Sequence, residues 1–253
     1  MSDKKVSIHE SYTLPSSGGS NIYDFKVPEV VTLRAMSTLD EKLRLSSSNG
    51  ILIIPQLIKQ CMIEPKDLDV AELKMFDIQY LMYMLRIATY GPEYKVELRC
   101  PECGHVFTAE MLLSDIPVNP VPDDIHEQLT ITLPVSGDVV ECALQSASDI
   151  TAIQNESKRI LSKFPEYVGD PEFIIRWKYI IKTVNGAEVL KKDIQSYIES
   201  MHAKDGAYLR SKYEKVVNSI GMDLSRIDIC PECGGEVQYS LPVTTEFFRP
   251  SFD

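Results

Sequence analysis

The sequence predicts an α+β fold, and three observations carry that prediction. The pentapeptide CPECG occurs twice, at residues 100–104 and 230–234, each time between stretches that alternate apolar and polar residues. Runs with apolar residues at spacings of three and four occupy residues 69–91 and most of 148–221. A third stretch, "LTITLPVSGDVVECAL", alternates on both sides of a Ser-Gly-Asp turn. Alternation marks strands and the longer spacing marks helices, so both kinds of element share one chain.

From the N-terminus, residues 1–28 include "LPSSGGSN", small and polar without a period, and are expected to form a flexible arm. "EVVTLRAM" then reads as a strand. Thr38 with Glu41 forms a capping box ahead of Leu39, Leu43 and Leu45, which predicts a short helix, and "IPQLIKQCMI" predicts a second. Asp69 with Glu72 opens a long helix ended by Gly91, whose lack of a Cβ suits a left-handed cap. In it Ile78, Leu81, Met82, Leu85 and Ala88 form one apolar face, and Phe76, Tyr80, Tyr83 and Ile87 a second, so burial on most sides is expected. Asp77 lies among them, and its expected partner is Arg86 or Arg34. Residues 29–92 thus form a helical N-terminal part.

Residues 114–224 read as an insert, a β-hairpin followed by helices. Pro117, Pro120, Pro122 and Pro134 break its start into extended pieces, and "LTITLP" and "VVECAL" form the hairpin. Ser148 caps a helix carrying Ile150, Ile153, Ile160 and Leu161. Asp170-Pro171 opens another with Ile174, Trp177, Ile181 and Val184, stopped by Asn185-Gly186. Two more helices carry Ile194, Tyr197, Ile198 and Met201, then Leu209, Tyr213, Val216, Val217 and Ile220, with Gly221 at the close. Residues 247–253 form an aromatic tail in which Phe247, Phe248 and Phe252 are candidate anchors for a partner's pocket; the chain's own core is the alternative seat, favoured for Phe247 and Phe248.

With 44% hydrophobic and 25% charged residues among 253, the chain has an ordinary globular composition and can bury a core. Its net charge of −11 opposes binding to phosphate backbones or anionic lipid and favours protein partners. No run of about 18 apolar residues is present and "MSDKKVSIHE" has no apolar segment behind its charges, so neither a membrane span nor a secretory signal is expected. In the cytosol thiols stay reduced. Six cysteines, four of them in two identical motifs, therefore read as metal ligands rather than as a disulfide framework.

Cys100, Cys103, Cys230 and Cys233 supply four thiolates, the number and softness of a tetrahedral structural zinc site, and the Pro and Gly of CPECG suit the turn that aims both sulfurs at one ion. Flanking strands "KVEL" and "HVFTAEM", then "RIDI" and "EVQYSL", make two hairpins clamped on that ion: a zinc ribbon of residues 93–113 and 225–246. About 126 residues separate the pairs. Loop entropy grows only as about 1.5 RT ln n, so closing this loop rather than one of roughly 15 residues costs about 2 kcal/mol more, whereas zinc binding supplies roughly 10–16 kcal/mol. Four sulfurs leave no open coordination position, so the metal is expected to be structural. His105 is expected to flank the site, and the isolated Cys61 and Cys142 to behave as small buried hydrophobes.

No GxxxxGK[ST], HExxH, GxSxG or GxGxxG-after-strand signature is present, and Asp123-Asp124 reads as a solvated turn, so no enzymatic activity is expected. A nucleic-acid-binding zinc-ribbon regulator is the alternative. Residues 93–111 hold Glu93, Glu97, Glu102 and Glu110 against Lys95 and Arg99, and residues 226–246 hold Asp228, Glu232, Glu236 and Glu246 against Arg226, a balance that repels phosphate. Lys191-Lys192 reads as solvated surface.

"LRIATYGPEYKVELRCPECGH", the hairpin "LTITLPVSGDVVECALQSASDI" and "AYLRSKYEKVVNSIGMDLSRIDICPECGGEVQYSLPVTTEFFRP" resemble, in that order, the zinc-ribbon baseplate hub proteins of contractile-tailed, T-even-like bacteriophages. The resemblance runs from about Glu29 to Pro250. It implies a non-enzymatic tail protein, a component or assembly factor of the baseplate hub, which binds other tail and baseplate proteins in the host cytoplasm during assembly and belongs to the virion baseplate. It also implies that Cys100, Cys103, Cys230 and Cys233 are the metal ligands and that Phe247 and Phe248 match the family's terminal aromatic pair.

Overall fold

A computed structural model describes residues 9–17, 22–46, 53–166, 168–241 and 245–248, with the side chains of 44–46, 245 and 246 outside that description. Phe252 and the Leu45 side chain therefore lie outside the described residues. The chain divides into two compact units, one of Met1–Val70, Phe76–Pro120 and Gly221–Asp253, the other of Ala71–Met75 and Val121–Ile220.

In chain order the elements begin with β1 (His9–Thr13) and β2 (Val30–Arg34), which pair antiparallel. Part of the expected arm is thus a strand. β1 is polar and largely exposed, held by its backbone ladder and by the Ser11–Thr32 hydroxyl pair at 2.9 Å, so no apolar alternation announces it. Beyond it Leu14, Tyr23 and Val27 are buried. Helices α1 (Thr38–Ser46) and α2 (Ile54–Cys61) follow, then β3 (Met62–Glu64), which pairs with β2. The cap of α1 sits one residue earlier than expected and makes only the acid's half of a capping box: Asp40 Oδ2 accepts from both the backbone N–H and the hydroxyl of Ser37, at 2.7 and 2.6 Å.

Helix α3 (Met75–Tyr90) starts six residues after Asp69, behind a 3₁₀ turn at Val70–Glu72. It is buried on most sides, including Phe76, Ile78, Leu81, Met82, Tyr83 and Leu85, and Gly91 ends it at φ +88°. Asp77 pairs with neither expected arginine. Its carboxylate accepts from the Ser16 backbone N–H at 3.2 Å and the Tyr23 hydroxyl at 2.7 Å. Arg34 pairs instead with Asp40 at 2.7 Å.

Strands β4 (Glu93–Arg99) and β5 (Val106–Leu112) form the first CPECG hairpin. β6 (Val118–Asn119) leads out of the first unit and pairs antiparallel with β11 (Gly221–Met222), where the chain returns. Asp223 N–H adds a bond to the Pro117 carbonyl at 3.0 Å.

The second unit contains, in order, α4 (Ile125–Gln128), β7 (Thr130–Thr132), β8 (Val139–Cys142), α5 (Ala147–Lys163), α6 (Glu172–Ile175), α7 (Trp177–Ile180), β9 (Ile181–Val184), β10 (Ala187–Glu188), α8 (Lys191–Ser200) and α9 (Ala203–Asn218). β7 and β8 are the expected hairpin, but the sheet continues in the order β10-β9-β8-β7. The helix expected through Val184 is therefore corrected. It ends at Ile180, and Asn185-Gly186, with φ +51° and +76°, is the turn of a second hairpin, both residues left-handed as a type I′ turn requires. The cap of α5 is Ser146 rather than Ser148, in a reciprocal box with Asp149. Asp205, fully buried at the start of α9, accepts from the N–H groups of Val135 and Ser136 at 2.8 and 2.9 Å and so fixes the β7–β8 turn.

The chain ends with β12 (Ser225–Ile229) and β13 (Glu236–Ser240), the second CPECG hairpin, and a 3₁₀ turn at Thr245–Phe248. Phe247 and Phe248 are fully buried in the chain's own core, with the Phe247 ring 4.3 Å from Tyr83 and 5.3 Å from Tyr94. Of the two seats weighed for these side chains, they occupy the chain's own core, the one favoured for them, and not a surface open to a partner's pocket. An aromatic ring already removed from water by its own chain has no apolar surface left to offer.

Candidate metal centre

Both hairpins place CPECG in the same backbone turn. Cys100 N–H donates to the His105 carbonyl at 2.9 Å and Gly104 N–H to the Cys100 carbonyl at 3.0 Å. Cys230 N–H donates to Gly235 and Gly234 N–H to Cys230, both at 2.9 Å. Gly104 and Gly234 take matching left-handed values, φ +76° and +73°, which a residue with a Cβ resists. The turn thereby aims both of its sulfurs to one side.

Across the hairpins, Cys100 Sγ lies 3.6 Å from Cys233 Sγ and Cys103 Sγ 3.7 Å from Cys230 Sγ, and all four sulfurs fall within 4.8 Å of one another. None forms a disulfide. An ion held tetrahedrally by thiolates at about 2.3 Å separates its sulfurs by about 3.8 Å, so the four cysteines could hold a metal ion. The sequence-predicted ligands are brought together from positions 127 and 133 residues apart.

The strands position this cluster by their alternation. Leu98, Ala109 and Val237 are buried with Cys100 and Cys230, and Val96, Phe107 and Tyr239 pack against them. One sulfur of each pair therefore rests on apolar side chains, while Cys103 and Cys233 stay exposed. The hairpins also meet at Gly235, where a Cβ would lie 2.5 Å from Glu102 Oε2. Gly235 is where the two motifs diverge, since the first has His105 in that place. The His105 ring stacks on Phe107 at 6.3 Å and is not part of the sulfur cluster, while its backbone N–H bonds the Cys103 thiol.

Local dipoles favour a thiolate. The backbone N–H of Cys103, and after it that of Glu102, holds the Cys100 thiol down to about 7 against the opposing effect of desolvation. Cys233 is held down by the Gly235 N–H, yet the neighbouring thiols of Cys103 and Cys100 outweigh it and push Cys233 up to about 12. Sulfurs this close suppress one another's ionisation until a cation joins them. Cys61 and Cys142, by contrast, are buried and pushed up to about 12 by desolvation, which fits inert core residues. Asp123 and Asp124 are exposed, and Asp124 Oδ1 accepts from Gln128 Nε2 at 2.8 Å within the local turn of α4.

An α+β chain in which two hairpins far apart in sequence meet at a four-cysteine cluster carries the donor set of a metal-binding protein. The family model described as "T4 bacteriophage base plate protein" matches residues 9–249, and the chain belongs to that family. No curated protein and no solved structure matches the chain significantly. Family membership supports a structural phage baseplate protein and suggests other phage proteins as partners and the virion as its location. No described helix is long and apolar enough to cross a membrane.

Proposed function

We propose that this chain is a zinc-stabilised, non-enzymatic component or assembly factor of the baseplate hub, which binds other tail proteins in the host cytoplasm and in the virion baseplate. The observation that carries this reading is the four-sulfur cluster, with pair distances of 3.6 and 3.7 Å between two hairpins far apart in sequence. Four thiolates favour zinc over hard cations, and they close its coordination sphere, so the ion holds shape and leaves no position for a reacting water. Zinc binding then becomes folding energy, which suits a part that must survive incorporation into a large assembly.

Elemental analysis of the purified chain tests the metal, with about one zinc per chain expected for a tetrathiolate site. Recovery from infected cells of a complex that contains hub proteins, in assembly intermediates or mature particles, tests the role. A metal-free chain with native stability would count against the first part, and recovery with host nucleic acid in place of tail proteins against the second.

A further inference from the structure

The two hairpins share a backbone plan but differ at one edge. Bonded pairs alternate along an antiparallel ladder. Cys230 N–H bonds the Gly235 carbonyl and Leu241 N–H the Leu224 carbonyl, so Arg226 and Asp228 turn their backbone groups toward β13. Ser225, Ile227 and Ile229 then point their N–H and C=O groups away from it. Among the described strands only β13 pairs with β12, and Ile227 and Ile229 are 60% and 58% exposed.

The same parity identifies the outward positions of the other three edges. β4 presents Glu93, Lys95, Glu97 and Arg99; β5 presents Val106, Thr108, Glu110 and Leu112; β13 presents Glu236, Gln238 and Ser240. Each of these includes a charge, the device by which sheets discourage a further strand. β12 has none at its outward positions. Ile227 and Ile229 offer backbone groups with no partner among the described residues, whereas the Ser225 N–H is held by Asp223 Oδ1 at 3.0 Å and its carbonyl by Arg226, local bonds that a pairing strand would have to replace.

The strand's own sequence specifies the occupant. When β12 is laid antiparallel on a second copy so that all five residues overlap, Ile227 meets Ile227 and Ser225 meets Ile229, which are the outward-bonding positions. Arg226 then falls opposite Asp228, twice, in the unbonded pairs whose side chains approach most closely. Arg226 makes no ion pair among the described residues, donating only to the Ser225 carbonyl at 2.5 Å, and Asp228 accepts from the Tyr239 hydroxyl at 2.7 Å. We propose that β12 is a self-association edge that joins two copies of this chain through a continuous four-stranded sheet, β13-β12-β12-β13.

Sedimentation of the full-length, metal-loaded chain over a concentration series tests this. The wild-type chain should show a reversible monomer–dimer equilibrium, and Ile227→Lys should weaken it by about tenfold or more, because a buried edge lysine opposes pairing. Arg226→Asp should weaken it as well, by placing two acids opposite each other, whereas R226D/D228R restores opposite charges and should recover the dimer. Asp228→Arg removes the Tyr239 bond, so Ile229→Lys, which touches neither charge, provides a second variant, with circular dichroism confirming the fold of each. A wild-type chain that stays monomeric, a dimer indifferent to both lysine variants, or a double swap no better than R226D overturns the proposal. Protection of the Ile227 and Ile229 amides from hydrogen exchange only in mixtures with other phage proteins would assign the edge to a foreign strand, and overturns it too.

Discussion

The Arg86 guanidinium donates through Nε to the Phe247 carbonyl at 3.2 Å, joining residues 161 positions apart. The same group donates to the Gly91 and Glu93 carbonyls at 2.8 and 3.2 Å, and its charge lies 5.5 to 5.6 Å from the rings of Tyr90, Tyr94 and Phe247. One buried cation thus fastens the end of α3, the start of β4 and the aromatic turn near the C-terminus. It has carbonyls and ring faces in place of a carboxylate.

This makes the aromatic turn a stability element. Phe247→Ala should lower unfolding free energy by about 3–5 kcal/mol, the usual range for emptying a fully buried phenyl site. Arg86→Met should also destabilise, because three carbonyls lose a donor. Chemical denaturation monitored by circular dichroism measures both, and a native-like midpoint for Phe247→Ala would contradict the packing.

Cys230→Ser should abolish stoichiometric metal and lower the melting temperature, since three thiolates and a hydroxyl hold zinc poorly. The loss should begin in the hairpins. β6 and β11 already bring the chain's exit and return together, so the 121–220 unit keeps its own closure. Proteolysis should therefore cut first within 93–112 and 225–240, and simultaneous cleavage throughout 121–220 would contradict this order.

Two buried aspartates should act on stability with opposite sign as pH changes. Hydrogen bonding from Arg34 holds the Asp40 carboxyl well below the usual carboxylate range, so its contribution is present above about pH 4 and lost as pH falls through the lowered value. Burial raises Asp77, whose bonds from Tyr23 and Ser16 offset this only in part, so ionised Asp77 opposes folding and the opposition fades as pH falls through its raised value. Urea midpoints of Asp40→Asn and Asp77→Asn against pH should diverge from the wild-type curve in opposite directions. Parallel curves would refute the assignment.

Gly221→Ala should destabilise by about 1–2 kcal/mol or more, as expected where a non-glycine is forced to positive φ. Gly221 sits at φ +77°, and a Cβ there would lie 3.0 Å from the Cβ of Phe76. Thermal melting checks it, with the solvent-facing Gly137→Ala, also at positive φ but in open space, as the comparison that separates backbone strain from the clash.

The parts legible in the sequence were those fixed by short covalent spacing. CPECG dictates its own turn, and the alternation beside it dictates which residues flank the sulfurs, so both hairpins and the four-cysteine cluster followed from the residues alone. β1 was hidden because "HESYT" has no apolar face and its ladder to β2 crosses residues 14–29. β9 was hidden for a different reason. Ile174, Trp177, Ile181 and Val184 keep helical spacing, and only the pairing of β9 with β8 overrides it. The partners of Asp77 come from residues 16 and 23, within a stretch whose small polar composition suggested a loose tether. The caps of α1 and α5 fell within one or two residues because Ser, Thr, Asp and Glu crowd these helix starts and several registers satisfy the same pattern, whereas the Asp69–Glu72 pattern opens a 3₁₀ turn and α3 starts only at Met75.

The sulfurs differ in their access to water, with Cys100 and Cys230 at 1% exposure and Cys103 and Cys233 open. Reagents consequently reach the cluster through one door. With an ion bound as proposed, attack by a chelator or an oxidant would start at Cys103 and Cys233, while the inner pair would keep its grip until the outer one had let go. A neighbouring subunit laid over that door would turn a replaceable ion into a trapped one, and assembly itself would then decide how long the metal stays.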